Sequence, residues 1–406
     1  MSMHVALFGD YPIPEDTVQL AHKIYPHGNL CMQLRDQFGM LYQNQQFVPF
    51  FATTGQPALA PARLALITIF QYLEGLSDRQ AADAVRDRIS WKYALGLLLD
   101  DQGFHASVLS EFRTRLVAGG GEHVLLDTII DEFRTQGLLR ARGQQRTDST
   151  HVLAAVRGRS RIECVGETMR AALNAIACVA PAWLRVQAPS DWFDRYGPRF
   201  DSYRFPKAAA ERQVIAEQIG TDGFQLLTWM TLPGTPDRVR QLSAMAILRQ
   251  VWWQQYYAPD PRAQWREFAD LPPGSQRIQT PYDHEARFSI KRDIEWTGYK
   301  AHLTEVCDGD RPHIITQVMT TAATIRDVSA LTPIHAVLAQ RDLLPSVHSV
   351  DTGYTDAQEM LASQTRYGVT LCGPIGRDSS WQAKDPQAFD LTQFQIDWEA
   401  KQAICP

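Results

Sequence analysis

From Pro61 onward, apolar residues recur at helical spacing. Leu66, Ile69, Phe70 and Leu73 fall on one face, with Pro61 suited to a helix start and Gly75 to its stop. Ser77-Asp78-Arg79-Gln80 then has the form of a capping box, which opens a second helix to about residue 88 with Ala81, Ala84 and Val85 inward. The same period predicts helices over 91–99, 107–117 and 122–136. The middle one turns Glu111, Arg113 and Arg115 outward and stops at Gly119-Gly120-Gly121; the last buries Leu125, Leu126, Ile129, Ile130 and Phe133. Residues 1–58 show no clear period, so they are expected to form an irregular arm with one short helix near 17–24. Residues 59–140 thus predict an all-α domain of short helices and tight turns, which suits either a helix-turn-helix-like DNA reader or a plain bundle.

The pattern changes at 146–156, where polar and β-branched or apolar residues alternate as in a strand. Long amphipathic segments follow at 162–180, 208–220 and 236–257, with Trp183, Trp192, Trp229, Trp252 and Trp253 available as core; together they predict a helical insertion over 158–275. Leu271-Pro272-Pro273-Gly274 reads as a linker. Period-two alternation over 299–306, a turn at Asp308-Gly309-Asp310 and a β-branched run over 313–319 predict a hairpin. A helix over 330–341, a strand ending at Val350, a helix after Thr355 and a strand over 369–372 complete the series. Strand, hairpin, helix, strand, helix, strand is the order of an RNase-H-like α/β domain, assigned to 141–406.

With 406 residues, 45% of them hydrophobic, the chain can bury two or three cores. Its longest apolar stretches, such as residues 64–70, fall short of a membrane span, and Met1-Ser2-Met3-His4 lacks the basic start of a signal peptide. A cytoplasmic protein with no membrane partner is expected. Cys31, Cys164, Cys178, Cys307, Cys372 and Cys405 form no C-x-x-C pair, which argues against a disulfide framework and a complete zinc site. The formal net charge of -5 does not announce a nucleic-acid binder, so any basic surface must be local. One local field exists: Arg134, Arg140, Arg142, Arg146, Arg157, Arg159 and Arg161 accompany a single acid, Asp148.

Asp148 stands in Arg146-Thr147-Asp148-Ser149-Thr150, and Asp351 in Val350-Asp351-Thr352-Gly353-Tyr354. Each borders a short apolar run, as carboxylates do at the ends of neighbouring strands where divalent metals are shared. Asp-Ser-Thr and Asp-Thr-Gly also occur as ordinary turns and caps. The basic field favours a polyanionic substrate, with arginines on phosphates and the Asp on a metal. Candidate phosphate contacts are Arg79, Arg86, Arg88, Arg113 and Arg115 in the helical domain, and Arg146, Arg157, Lys291, Arg292 and Lys300 beyond it. Pairing with Asp83, Asp87 or Glu111 is the competing account for the first group. For the charges leading into the hairpin, the favoured account is a helix cap at Asp283-His284-Glu285 with Arg287 paired nearby, and for His302 a paired core histidine.

Taken together, Leu76-Ser77-Asp78-Arg79-Gln80, Phe112-Arg113, Arg146-Thr147-Asp148-Ser149-Thr150, Tyr282-Asp283, Trp296-Thr297-Gly298-Tyr299-Lys300-Ala301-His302 and Val350-Asp351-Thr352-Gly353-Tyr354 resemble, in order and spacing, the DDE transposases of bacterial insertion sequences with an InsH-type helical N-terminal domain. The resemblance implies metal-dependent cleavage and strand transfer of double-stranded DNA at terminal inverted repeats and target DNA, by a homodimer assembled on that DNA. It assigns Asp148 and Asp351 as two carboxylates of the triad, holding two Mg²⁺ or Mn²⁺ ions. The third should be a Glu on a helix after the last strand; the 34 residues after Cys372 hold only Glu399, a weak match. The chain is therefore expected to be a C-terminally truncated transposase, which binds metal weakly and fails to cut or join DNA. The alternative is an inactive relic that acts as a DNA-binding protein or regulator.

Overall fold

The computed structural model describes the chain except residues 1–2, 4–10, 155–159, 202, 204, 258–261, 292–293, 377–379 and 386. It comprises two compact units, 1–140 and 141–406.

The first unit is helical: α1 (Glu15–Ile24), α2 (Leu30–Phe38), a 3-10 helix (Asn44–Phe50), α3 (Pro61–Leu73), α4 (Asp78–Asp87), α5 (Ile89–Leu95), α6 (Ser107–Ala118) and α7 (Val124–Thr135). The capping box of α4 is formed, with Ser77 N donating to Gln80 Oε1 at 2.9 Å and Gln80 N to Ser77 Oγ at 3.4 Å. The helix expected over 91–99 ends at Leu95 because Gly96 turns left-handed, at φ 62°. A side chain there would also press on the Tyr11 carbonyl, 2.7 Å from an added Cβ. Between α3 and α4 lies a four-residue turn with Gly75 at φ 64°, the connectivity of a helix-turn-helix.

The first 58 residues differ from the expected arm. Met32, Tyr42 and Phe47 are fully buried, and Asn44 Oδ1 accepts from Ala62 N at 2.9 Å, so the segment docks on the start of α3. Its helices are short and one is 3-10, which leaves too few turns for a 3.6-residue period to show.

The second unit is α/β. Its mixed sheet is built from β1 (Gln144–Leu153), β4 (Arg287–Lys291), β5 (Ile294–Val306), β6 (Ile315–Ala322), β7 (Val347–Val350) and β8 (Thr370–Cys372), with β2 (Tyr256–Tyr257) and β3 (Gln264–Trp265) forming a separate hairpin. The order β6-β5-β1-β7-β8 has antiparallel β5 and β6 on one side of β1 and parallel β7 and β8 on the other, as an RNase-H-like sheet requires. The parallel connections cross over through helices, as they must.

Between β1 and β2 the insertion forms α8 (Arg161–Val179), α9 (Pro181–Gln187), α10 (Asp191–Tyr196), α11 (Ala209–Trp229), α12 (Asp237–Arg240) and α13 (Ser243–Gln255) around a core of its own. The segment expected as one helix over 236–257 breaks at extended Leu242. Trp252 is buried, whereas Trp253 is 67% exposed, contrary to its expected place in the core: consecutive helical residues point about 100° apart. After β6 come α14 (Leu331–Gln340) and α15 (Ala357–Tyr367), and near the end a second small hairpin, β9 (Gln395–Asp397) with β10 (Gln402–Ile404). Asp283 caps no helix; its Oδ1 accepts from Ala286 N at 3.1 Å and Tyr299 OH at 2.5 Å, closing a turn ahead of β4. No helix among the described residues is long and apolar enough to cross a membrane.

Candidate active site

β1 and β7 run parallel, with Thr147 beside Val350 as the last registered pair. The residues that follow this pair are Asp148, still within β1, and Asp351, just past the end of β7. Neighbouring strands lie about 4.8 Å apart, and alternation turns both aspartates away from the face that buries Thr147 and Val350. Both carboxylates are exposed. Asp148 lies within β1 rather than at its end, and Asp351 follows β7 directly.

Each acid is held locally. Asp148 Oδ1 accepts from Ser149 N at 2.7 Å, and Asp351 Oδ1 accepts from Gly353 N at 2.9 Å, capping a 3-10 turn (Thr352–Tyr354). The cap geometry anticipated for an Asp-Thr-Gly string is therefore present at Asp351. On the Asp148 side a cleft of about 350 Å³ is lined by Arg146, Thr150, Leu303, Glu305 and Ile315 among others. Asp351 is not among its lining residues.

A polar network underlies the pair. Thr147 Oγ1 lies 2.7 Å from Thr304 Oγ1 and 2.6 Å from His348 Nε2, and His348 Nδ1 lies 2.8 Å from His335 Nε2. Burial pushes His335 down to about 4; burial and then its neighbour His335 push His348 down to about 3. Tyr354 is fully buried, its hydroxyl 2.5 Å from His302 Nδ1. Burial first, and then the negative charge of Asp327, raises the Tyr354 pKa, with Asp148 and Asp351 adding to it. His302, also 3.0 Å from Thr321 Oγ1, is a paired core residue whose pKa burial lowers. Asp327, at the head of a 3-10 turn (Asp327–Ala330), bonds Lys300 Nζ at 2.8 Å and accepts from Ser149 Oγ at 3.3 Å. Neither Asp327 nor Tyr354 stood out in the sequence as a site residue. Tyr354 lay inside a quoted motif, but nothing in the local pattern marked Asp327.

Many expected phosphate contacts are engaged within the protein. Arg86 pairs with Asp83 at 3.1 Å, Arg88 with Glu74, and Arg113 with Asp78 at 2.7 Å. Arg115 lies over the Phe51 ring, 5.4 Å from its centroid, while Arg79 is exposed. Arg146 pairs with Glu305 at 2.5 Å, Lys300 is committed to Asp327 and the Ile325 carbonyl, and Lys291 is half-buried at the end of β4. Arg157 and Arg292 lie outside the described residues. The basic run is likewise dispersed, with Arg142 bonded to the carbonyls of Tyr367 and Gly368, and Arg161 stacked 4.2 Å from the Trp265 ring centroid.

Glu399 sits exposed at the tip of the β9–β10 hairpin, outside the main sheet. Among the described residues, no group of three or more His, Cys, Asp or Glu side chains is arranged to hold a metal ion. The donors at Asp148 and Asp351 are hard carboxylate oxygens, which fit Mg²⁺ or Mn²⁺ in kind but supply only part of an octahedral shell.

The fold is thus a helical unit followed by a mixed α/β sheet. Residues 20–115, within that unit, match the family described as Transposase domain (DUF772). No curated protein and no solved structure matches the chain.

Proposed function

We propose that this chain is a transposase of the DDE kind, acting on double-stranded DNA at the ends of a mobile element. The observation that carries the reading is the register of β1 on β7, which brings Asp148 and Asp351 to adjacent positions on one face, in a chain whose helical unit matches a transposase domain. Asp148 and Asp351 would hold a Mg²⁺ or Mn²⁺ ion. Bound there, the ion would supply Lewis-acid polarisation of a phosphodiester. The chain's own part is to fix the two carboxylates: Ser149 N and Gly353 N each donate to one, which limits their rotation.

A second reading, DNA binding without strand chemistry, draws on one observation. Glu399 does not join the two aspartates in a metal-holding group. Incubation of the protein with Mn²⁺ and duplexes taken from the DNA flanking its coding sequence separates the readings. Nicked or joined strands that vanish in Asp148→Asn and in Asp351→Asn and persist in Glu399→Gln would show an active transposase, contrary to the expectation that two carboxylates alone fail to cut. A gel shift without any strand breakage would favour the second.

A further inference from the structure

Lys300 and Asp327 form an ion pair at 2.8 Å with side chains only 13% and 9% exposed, on the sheet face that carries Ser149 and His302. Such a pair is costly to bury, so one partner left alone strongly perturbs its surroundings. Asp327 touches both aspartate segments. Its Oδ2 accepts from Ser149 Oγ, on the face of β1 opposite the Asp148 side chain, and a Cβ placed on Gly353 would lie 3.2 Å from both Asp327 Oδ2 and Asp351 Oδ1. The Asp327 and Asp351 carboxylates therefore both border the same small space at Gly353. The lysine is anchored on its other side by the Ile325 carbonyl, at 2.7 Å.

We infer that Asp327 is a positioning residue that keeps the Lys300 ammonium from neutralising Asp351, so that this carboxylate stays free to join Asp148 in taking up a divalent cation. An ammonium released from Asp327 would have the Asp351 carboxylate, beside Asp327 at Gly353, as an alternative partner. There it would both compete for the carboxylate oxygens and repel the metal. The pair therefore works as a charge lock on the site. This reading rests on the metal site proposed above, and its test separates the two.

Mn²⁺ binding to the full chain is followed by the loss of the free-ion electron paramagnetic resonance signal, with circular dichroism confirming that each variant is folded. Asp327→Asn, which keeps the shape but frees the lysine, is expected to weaken Mn²⁺ binding about tenfold, the effect of one like charge at close range in a partly screened site. Removing the lysine as well, in Asp327→Asn with Lys300→Met, restores the affinity. A purely structural role for Asp327 would leave the double variant as weak as the single one or weaker, and that result, or an unchanged single variant, overturns the inference.

A reporter that needs no metal covers the case in which the wild-type chain binds no Mn²⁺ and the metal reading fails. In an Asp351→Cys background, iodoacetamide labelling of that thiol at pH 7, located by mass spectrometry among the six native cysteines, measures whether an ammonium has moved close enough to favour the thiolate. Adding Asp327→Asn should accelerate labelling about tenfold, and further adding Lys300→Met should reverse it. Equal rates in all three chains would overturn the charge lock.

Discussion

Thr147 carries more of the site than its size implies. Its hydroxyl meets Thr304 and His348 at once, so Thr147→Val leaves buried polar atoms unpaired immediately beside Asp148. A loss of about 1–3 kcal/mol in urea unfolding is expected. The two histidines behind it make stability pH-dependent. Both have folded values, about 4 for His335 and about 3 for His348, below the ordinary 6.5, so the unfolded chain binds more protons than the native one across that window. The stabilisation is fully present above about pH 6.5 and is lost as pH falls towards the folded values. Thermal unfolding followed from pH 7 to pH 5 should show this decline, and His348→Asn should flatten it. At this scale the two aspartates were legible, because alternation along a strand and the short apolar runs beside them mark their positions. The roles of single cations were not. Whether Lys300 or Arg146 meets phosphate or a neighbouring acid depends on which residue stands opposite in the sheet, and one strand's sequence does not contain that partner.

Helices with a full apolar stripe and a cap were readable: α3, α4, α6 and α7 fall where spacing, Pro61 and Ser77 place them. Short or irregular elements were not, as the 3-10 segment at Asn44–Phe50 and strand β4 show, since neither offers enough repeats to establish a period. Close helix approach also escapes pattern reading. In the insertion, Trp252 Nε1 donates to Gly220 O at 2.8 Å, and a Cβ on Gly223 would overlap the indole. Gly223→Ala should therefore destabilise the second unit by about 3 kcal/mol through overpacking, despite the gain in helix propensity. Chemical denaturation monitored by tryptophan fluorescence measures it. No effect would mean that α11 and α13 pack less closely than described.

The two-unit organisation sets what the helical unit can do alone. Residues 1–140 hold their own core around Phe70, Trp91 and Phe112, so this fragment should unfold cooperatively when expressed by itself. Three of its five candidate arginines are tied to acids, which leaves Arg79 and Arg115 as the remaining candidates for phosphate contact. The logarithm of its DNA affinity should then fall against the logarithm of salt with a slope of about -2, as for roughly two neutralised phosphates. A slope nearer -5 would show that the ion pairs open on DNA. In the second unit, the proposed divalent-cation site rests on Asp148 and Asp351, which follow the last registered pair of β1 and β7. Its most direct test is a Mn²⁺ titration of the full chain against Asp148→Asn and Asp351→Asn by electron paramagnetic resonance. One weakly held ion is expected, its affinity dropping at least about tenfold in either variant, since each removes one of two charged ligands; binding that is absent from the parent chain, or unchanged in both variants, would rule the site out.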